Sequence, residues 1–133
     1  MALNRKSAVR DALLEYANAP FSYGVLDCCL FAARVAERIT GIDYAQRFTH
    51  KTESEAYTYI AEYGDLSGLI SDTLGLDPVG VESLEIGDPV LVKFPIVGEL
   101  IGVFMGRDAI CKTQGGTVTS DRIVWGWNLC PKL

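Results

Sequence analysis

The distribution of hydrophobic residues changes along the chain, and this change constrains the fold more than any other feature. In the first part, apolar residues recur at spacings of three and four, the period of an amphipathic helix. After Pro89 they form short runs rich in Val, Ile and Phe, each bounded by Gly, Pro or Asp, which is typical of strands. The order predicts an α+β domain with N-terminal helices packed on a C-terminal antiparallel sheet.

Local start and stop signals give the expected bounds of these elements. Ser7 and Asp27 are predicted to cap the first two helices, and Gly41 to end the second. The expected helices are 7–17, 28–40, 53–63 and 66–74, and the expected strands are 90–94, 101–105, 109–112 and 123–129, with a turn at Gly115-Gly116. The chain has 133 residues, so we expect a single domain over residues 1–133.

Charge and hydropathy exclude several classes of protein. Seventeen acidic residues against twelve basic ones give a net charge of −5, which argues against a nucleic-acid partner. No apolar run approaches the roughly 18 to 20 residues that span a bilayer. The N-terminus has no apolar signal core, so we expect synthesis in a cytoplasm without secretion.

The chain contains four cysteines, Cys28, Cys29, Cys111 and Cys130, and a single histidine, His50. Without a secretion signal, reduced thiols are expected. No C-x-x-C pair occurs, so the sequence predicts no metal and no cofactor. A metal site built from some of the four cysteines stays open as an alternative.

The segment around Cys28 is the strongest candidate for chemistry. A cysteine in the first turn of a helix lies among unpaired N–H groups at the positive end of the helix dipole, and both favour the nucleophilic thiolate. On a helical wheel Cys28 shares a face with Phe31, Val35 and Ile39 and is expected to point toward the sheet, whereas Cys29 falls outside this face. The alternative is that both cysteines are small buried hydrophobic residues.

The run Tyr23-Gly24 followed by Asp27-Cys28 resembles the Y-x-W-G-G…D-C-S-G signature of the NlpC/P60 family of papain-like cell-wall peptidases. Residues 86–92 are similar to the family's G-D-L-V-F strand, and residues 100–106 are similar to H-V-G-I-Y-x-G, the strand that carries the family's histidine. The resemblance covers the chain from about Leu13 to Trp127. It implies a papain-like NlpC/P60 core with Cys28 as the nucleophile on the central helix.

A closer resemblance adds a biological setting. The form P-F-x-Y-G-x-x-D-C-C-L-F-A-A, followed by Thr40-Gly41-Ile42-Asp43 and a late tryptophan (Trp125 or Trp127), is similar to an uncharacterised NlpC/P60-like subfamily in the tail-gene clusters of phages and prophages. This resemblance implies a tail protein that is made in the host cytoplasm and carried in the virion. Its expected partners are other tail or baseplate proteins.

The main departure from the family pattern is Leu100, which takes the position of the family's histidine. A cysteine peptidase needs a base that can hold and transfer a proton, and leucine cannot do so. His50 is interpreted as a surface residue, with a rearranged Cys28–His50 dyad as the alternative. Asp27 caps its helix or orients a catalytic partner, and Tyr23 either packs as an aromatic or donates to an oxyanion.

The residues, together with what the resemblance implies, lead to three hypotheses for the function. We favour a structural or assembly protein of the tail tip or baseplate, built on an inactive NlpC/P60-like fold. The alternative is an active cysteine peptidase or amidase that cleaves peptidoglycan peptides during phage entry. A metal-bearing module is the third hypothesis. Asp88, which follows a glycine at the start of a strand, is expected to form a turn rather than to act in catalysis.

Overall fold

The structure is a computed structural model that describes residues 4–17, 24–47, 58, 61–62, 65–95, 98–113 and 116–129. Its helices are α1 (Arg5–Ala17), α2 (Gly24–Thr40) and α3 (Leu66–Leu74), with short 3-10 turns at Tyr44–Arg47 and Val81–Ser83. Most of the helix expected at 53–63 lies outside the described residues, although Thr58, Ala61 and Glu62 are helical. Within the described part of the chain, no helix has the length and apolar character needed to cross a membrane.

The five strands form one antiparallel sheet. They are β1 (Pro89–Phe94), β2 (Gly98–Phe104), β3 (Ala109–Thr113), β4 (Gly116–Ser120) and β5 (Ile123–Gly126). Their order across the sheet is β4-β3-β2-β1-β5. The predicted α+β arrangement is confirmed, because three helices pack on this sheet. Strand β4 was not among the expected strands, and β5 ends before the predicted bound at residue 129.

The helix ends show which local signals operate. Asn4, not the predicted Ser7, caps α1, since its Oδ1 accepts the Ser7 N–H at 3.1 Å. Gly41 ends α2 as predicted, with φ +80° and its N–H donated to the Glu37 carbonyl at 2.7 Å. Asp65 caps α3 by accepting the Gly68 N–H at 2.6 Å. At each of these ends a side chain or a left-handed glycine satisfies backbone groups that the helix leaves unpaired.

The hydrophobic core lies between α2 and the sheet. Its fully buried members include Phe31 and Val35 from α2 and Leu91 and Ile101 from the two central strands. The polar residues Arg34 and Glu37 are half-buried and Arg38 is exposed, and they lie away from these apolar residues, so one face of the helix is apolar. The core therefore fixes the position of α2 over β2, and with it the position of Cys28.

Helix α3 is held against the last strand by two indole hydrogen bonds. Trp125 donates its Nε1–H to Ser67 Oγ at 2.9 Å, and Trp127 donates its Nε1–H to Ser71 Oγ at 2.8 Å. Trp127 is fully buried, whereas Trp125 is partly exposed. These contacts place α3 on the side of α2 that carries Cys29. A small pocket of about 20 Å³ there is lined by Cys29, Ala33, Ala36, Ile70 and Leu74, among others.

Candidate functional site

Cys28 lies inside helix α2 and not at its start. The helix begins at Gly24, which makes Cys28 its fifth residue, and Asp27 stands within the first turn instead of capping it. The unpaired N–H groups of a helix belong to its first four residues, so they do not surround Cys28. The predicted electrostatic setting for a thiolate is therefore wrong. An aspartate is also stable inside the first turn, because its carboxylate interacts with the helix dipole there.

The Cys28 side chain points toward the sheet, as predicted, and it is fully buried. Its Sγ accepts a hydrogen bond from the backbone N–H of Ile101 in β2, with 3.4 Å between nitrogen and sulfur. A thiol sulfur is a weak acceptor, yet a buried strand amide without any partner costs free energy. The contact therefore gives Cys28 a structural role at the centre of the fold.

The position of this amide explains why a sulfur atom meets it. Phe104 donates its N–H to the Asp88 carbonyl on the β1 side of β2. Because amide directions alternate along a strand, the N–H of Ile101 faces the opposite side, toward β3. The described pairs between β2 and β3 are Val103–Ile110 and Phe104–Ala109. The Sγ of Cys28 thus accepts a hydrogen bond from a β2 amide that lies outside the described pairs between β2 and β3.

Leu100 directly precedes the amide that contacts Cys28. It is buried in β2 and faces Val92 of β1 in the strand register. Leu100, which takes the position of the family's histidine in the resemblance described above, is thus the residue next to the one whose amide contacts Cys28 Sγ. Its side chain is aliphatic and cannot accept or donate a proton.

Three thiols lie buried in this part of the core, and none of them is in a disulfide. A hydrogen bond with Cys28, followed by burial, raises the pKa of the Cys29 thiol well above its ordinary value. Burial, and then the proximity of Cys28, raises the pKa of Cys111 to about 12. Both side chains are therefore neutral thiols near pH 7. Cys29 was predicted to lie outside the packed face, but α3 covers its side of α2.

Two surface grooves formed by the described residues do not include Cys28 in their lining. A groove of about 790 Å³ is lined by Arg5, Lys6 and Glu85, among others, at the N-terminal end of α1. A second groove of about 430 Å³ is lined by residues that include Lys93 and Arg122. Cys28 lines neither of these grooves. A substrate that occupied only one of these grooves would contact other residues than Cys28.

The other residues singled out in the sequence are only partly placed. Asp27 lies in the first turn of α2, and its side chain is not among those described. Tyr23, His50 and Cys130 lie outside the described residues. Among the described side chains, no group of three His, Cys, Asp or Glu residues is arranged to hold a metal ion.

Asp88 is the polar residue whose setting sequence reasoning missed. Its carboxylate is fully buried and pairs with Arg5, with 3.0 Å between Nη1 and Oδ1. The Leu129 N–H donates to Oδ1 at 2.9 Å, and the Glu85 N–H donates to Oδ2 at 2.8 Å. This carboxylate therefore joins α1, the turn before β1 and the C-terminal segment. The turn that the sequence predicted at Asp88 accounts for its contact with Glu85 but not for its contacts with Arg5 and Leu129.

Comparison with known proteins places the chain in a family. No curated protein matches it. A family model described as "Domain of unknown function (DUF6950)" matches residues 2–128, nearly the whole chain, and the protein therefore belongs to this family.

Proposed function

We propose that this protein is a structural or assembly component of a phage tail tip or baseplate, built on an NlpC/P60-like fold whose cysteine is not a working nucleophile. The observation that carries the inactive assignment is the setting of Cys28. Its sulfur is buried and engaged by the Ile101 amide, and Leu100 stands beside that amide. The tail assignment is supported by the sequence resemblance described above.

The burial of the sulfur bears on catalysis directly. A nucleophilic thiol must contact the carbonyl carbon of its substrate, and a base must lie within hydrogen-bond reach of it. Cys28 has no exposed surface, and neither of the two large grooves includes it. A hydrolase that used Cys28 would have to open the contact between α2 and β2 in every catalytic cycle.

A fold that has lost its chemistry can still act through its surface, because activity resides in a site and not in the fold. Under this proposal the partners are other tail or baseplate proteins, and the protein is carried in the virion after synthesis in the host cytoplasm. Peptidoglycan is the expected substrate only for the competing function, an active cysteine peptidase or amidase.

The test replaces Cys28 by serine in the phage or prophage that encodes the chain. Serine can still accept the Ile101 N–H but does not replace a cysteine nucleophile efficiently. Cys111→Ser serves as the matched control, because it makes the same change at another buried thiol. We expect Cys28→Ser particles to assemble and infect as well as the control, and the chain to be found in purified tails by mass spectrometry.

Three results would contradict the proposal. Normally assembled Cys28→Ser particles that fail to infect, while Cys111→Ser particles infect, would indicate a catalytic Cys28. Release of peptides from purified peptidoglycan by the wild-type protein, abolished by Cys28→Ser, would establish the hydrolase. Absence of the chain from tails whose assembly does not require its gene would remove the tail assignment.

A further inference from the structure

Strand β4 forms an open edge of the sheet. Within the described part of the chain its only strand neighbour is β3, and Thr117, Val118 and Thr119 are exposed. Proteins usually protect such edges with a charge, a proline or a bulge, because unpaired backbone groups can bind another strand. The strand Gly116–Ser120 contains no charged residue and no proline, and its pairing with β3 is regular over all five residues.

The strand register determines which backbone groups of β4 are unpaired. Ile101 and Val103 direct their amides toward β3, so Ile110, the partner of Val103, directs its own groups back to β2. Cys111 therefore directs its groups toward β4, where its partner is Val118. By the same alternation, the N–H and C=O groups of Thr117 and Thr119 point away from the sheet.

We propose that β4 pairs with β4 of a second copy of this chain, in an antiparallel arrangement around a two-fold axis at Val118. Thr117 of each copy then faces Thr119 of the other, and these two pairs form four backbone hydrogen bonds. Val118 faces its own counterpart on the axis, as a pair without hydrogen bonds and with Cα atoms about 4.5 Å apart. The two sheets become one sheet of ten strands.

A second copy fits this edge because the edge is self-complementary. The outward groups lie symmetrically on either side of Val118, so a two-fold copy satisfies all four of them at once. Every residue of the strand gains an uncharged partner, since Gly116 faces Ser120 and Val118 faces itself. Two chains that each carry a net charge of −5 can therefore meet here without placing like charges opposite one another.

The opposite edge of the sheet does not offer the same pairing. At β5, the backbone groups of Gly126 that point away from the sheet are already hydrogen-bonded to Val79. The Val79 N–H donates to the Gly126 carbonyl at 2.7 Å, and the Gly126 N–H donates to the Val79 carbonyl at 3.0 Å. The pairing of β5 with β1 is also irregular between Leu91 and Val92. An open chain of copies joined β4 to β5 would lose these bonds, so the closed two-fold dimer is the favoured assembly.

The oligomeric state of the full chain tests this inference, independently of the proposed function. Sedimentation should show a reversible, concentration-dependent dimer of the 14.5 kDa chain. Val118→Lys should raise the dissociation constant at least about tenfold, because it places two like charges together on the axis. Val124→Lys is the matched control, since Val124 is equally exposed on β5, and it should leave the constant unchanged.

Amide exchange followed by NMR tests the register itself. The amides of Thr117 and Thr119 should exchange slowly at high protein concentration and rapidly at low concentration, whereas the amide of Val118 should be protected at both. Thr119→Pro provides a second variant, because proline is tolerated where a strand amide faces outward, and it should yield a folded monomer.

Three results would overturn the inference. The first is a chain that stays monomeric up to a concentration of about 1 mM. The second is a dimer that persists unchanged in Val118→Lys. The third is protection of the Thr117 and Thr119 amides that does not depend on protein concentration.

Discussion

Removing the buried Asp88 carboxylate should destabilise the protein more than any surface change. Asp88→Ala leaves the amides of Glu85 and Leu129 without acceptors and removes the partner of the Arg5 guanidinium. An orphaned buried amide costs about 1–3 kcal/mol, and breaking a buried ion pair by removing one partner costs about 3–5 kcal/mol. Arg5 keeps its bond to the Ile86 carbonyl and some contact with solvent, which limits the loss. Because these interactions share one carboxylate and their costs do not add, we expect the free energy of unfolding to fall by about 3–5 kcal/mol.

Asp88→Asn separates the loss of hydrogen bonds from the loss of side-chain volume. Its carbonyl oxygen can still accept from Arg5 and Leu129, but its NH₂ group then faces the Glu85 N–H, donor against donor. We expect an intermediate loss of about 1.5–3 kcal/mol, the range for one hydrogen bond to a charged group. Asp72→Ala is the control at an exposed position on α3, with an expected change within about 0.5 kcal/mol.

Urea unfolding followed by tryptophan fluorescence measures these values, because the buried Trp127 lies close to Asp88 in the fold and donates its amide to the Pro89 carbonyl. The order of stability should be Asp72→Ala, then Asp88→Asn, then Asp88→Ala. A loss of less than about 1 kcal/mol in Asp88→Ala, within the range of an ordinary substitution, would refute the claim that this carboxylate joins the two ends of the chain.

The other predictions concern the packing around the thiols and α3. Gly102→Ala should cost about 1–3 kcal/mol, because the new Cβ would lie 2.7 Å from Cys111 Sγ, and the cost should be smaller in a Cys111→Ala background. Because the pKa of Cys111 is raised to about 12, against roughly 8.5 in the unfolded chain, unfolded molecules lose the proton first as pH rises. Between those values the free energy of unfolding should fall by up to about 1.4 kcal/mol per pH unit, and urea titrations at about pH 8 and pH 10 should show a shallower fall in Cys111→Ala. Ser71→Ala should lower the free energy of unfolding by about 1 kcal/mol and Ser67→Ala by less. Water can replace the hydrogen-bond partner of the exposed Trp125 but not that of the buried Trp127. Equal losses for the two variants in urea unfolding would contradict this.

Local sequence signals predicted the three helices that the structure describes in full and the direction of Cys28, because both depend on neighbours within a few turns. Gly41 ends α2 as expected, and the apolar stripe that contains Cys28 faces the sheet. The predicted start of α2 at Cys28 was wrong, because an aspartate such as Asp27 can be accommodated inside the first turn of a helix as well as at its cap. Strand β4 was missed because its Thr-Val-Thr-Ser sequence has too few apolar residues to show a buried face.

The surroundings of Asp88 and Cys29 could not be predicted, since both depend on contacts far apart in the sequence. Arg5 and Leu129 come to Asp88 from the two ends of the described chain. Cys29 is covered because α3 docks on that side of α2 through Trp125 and Trp127. Periodicity within one helix reports which face is apolar, but it does not report a second element that packs beside that face.

The accessibility of the Cys28 sulfur in the folded protein tests the central claim most directly. Iodoacetamide labelling at neutral pH, with tandem mass spectrometry to separate Cys28 from Cys29, gives the rate for each thiol. We expect Cys28, like Cys29 and Cys111, to react at least about 100-fold more slowly than a free thiol, and all three to react fully in urea. Rapid, stoichiometric labelling of Cys28 while Cys29 and Cys111 stay protected would show an exposed, activated nucleophile and contradict the account.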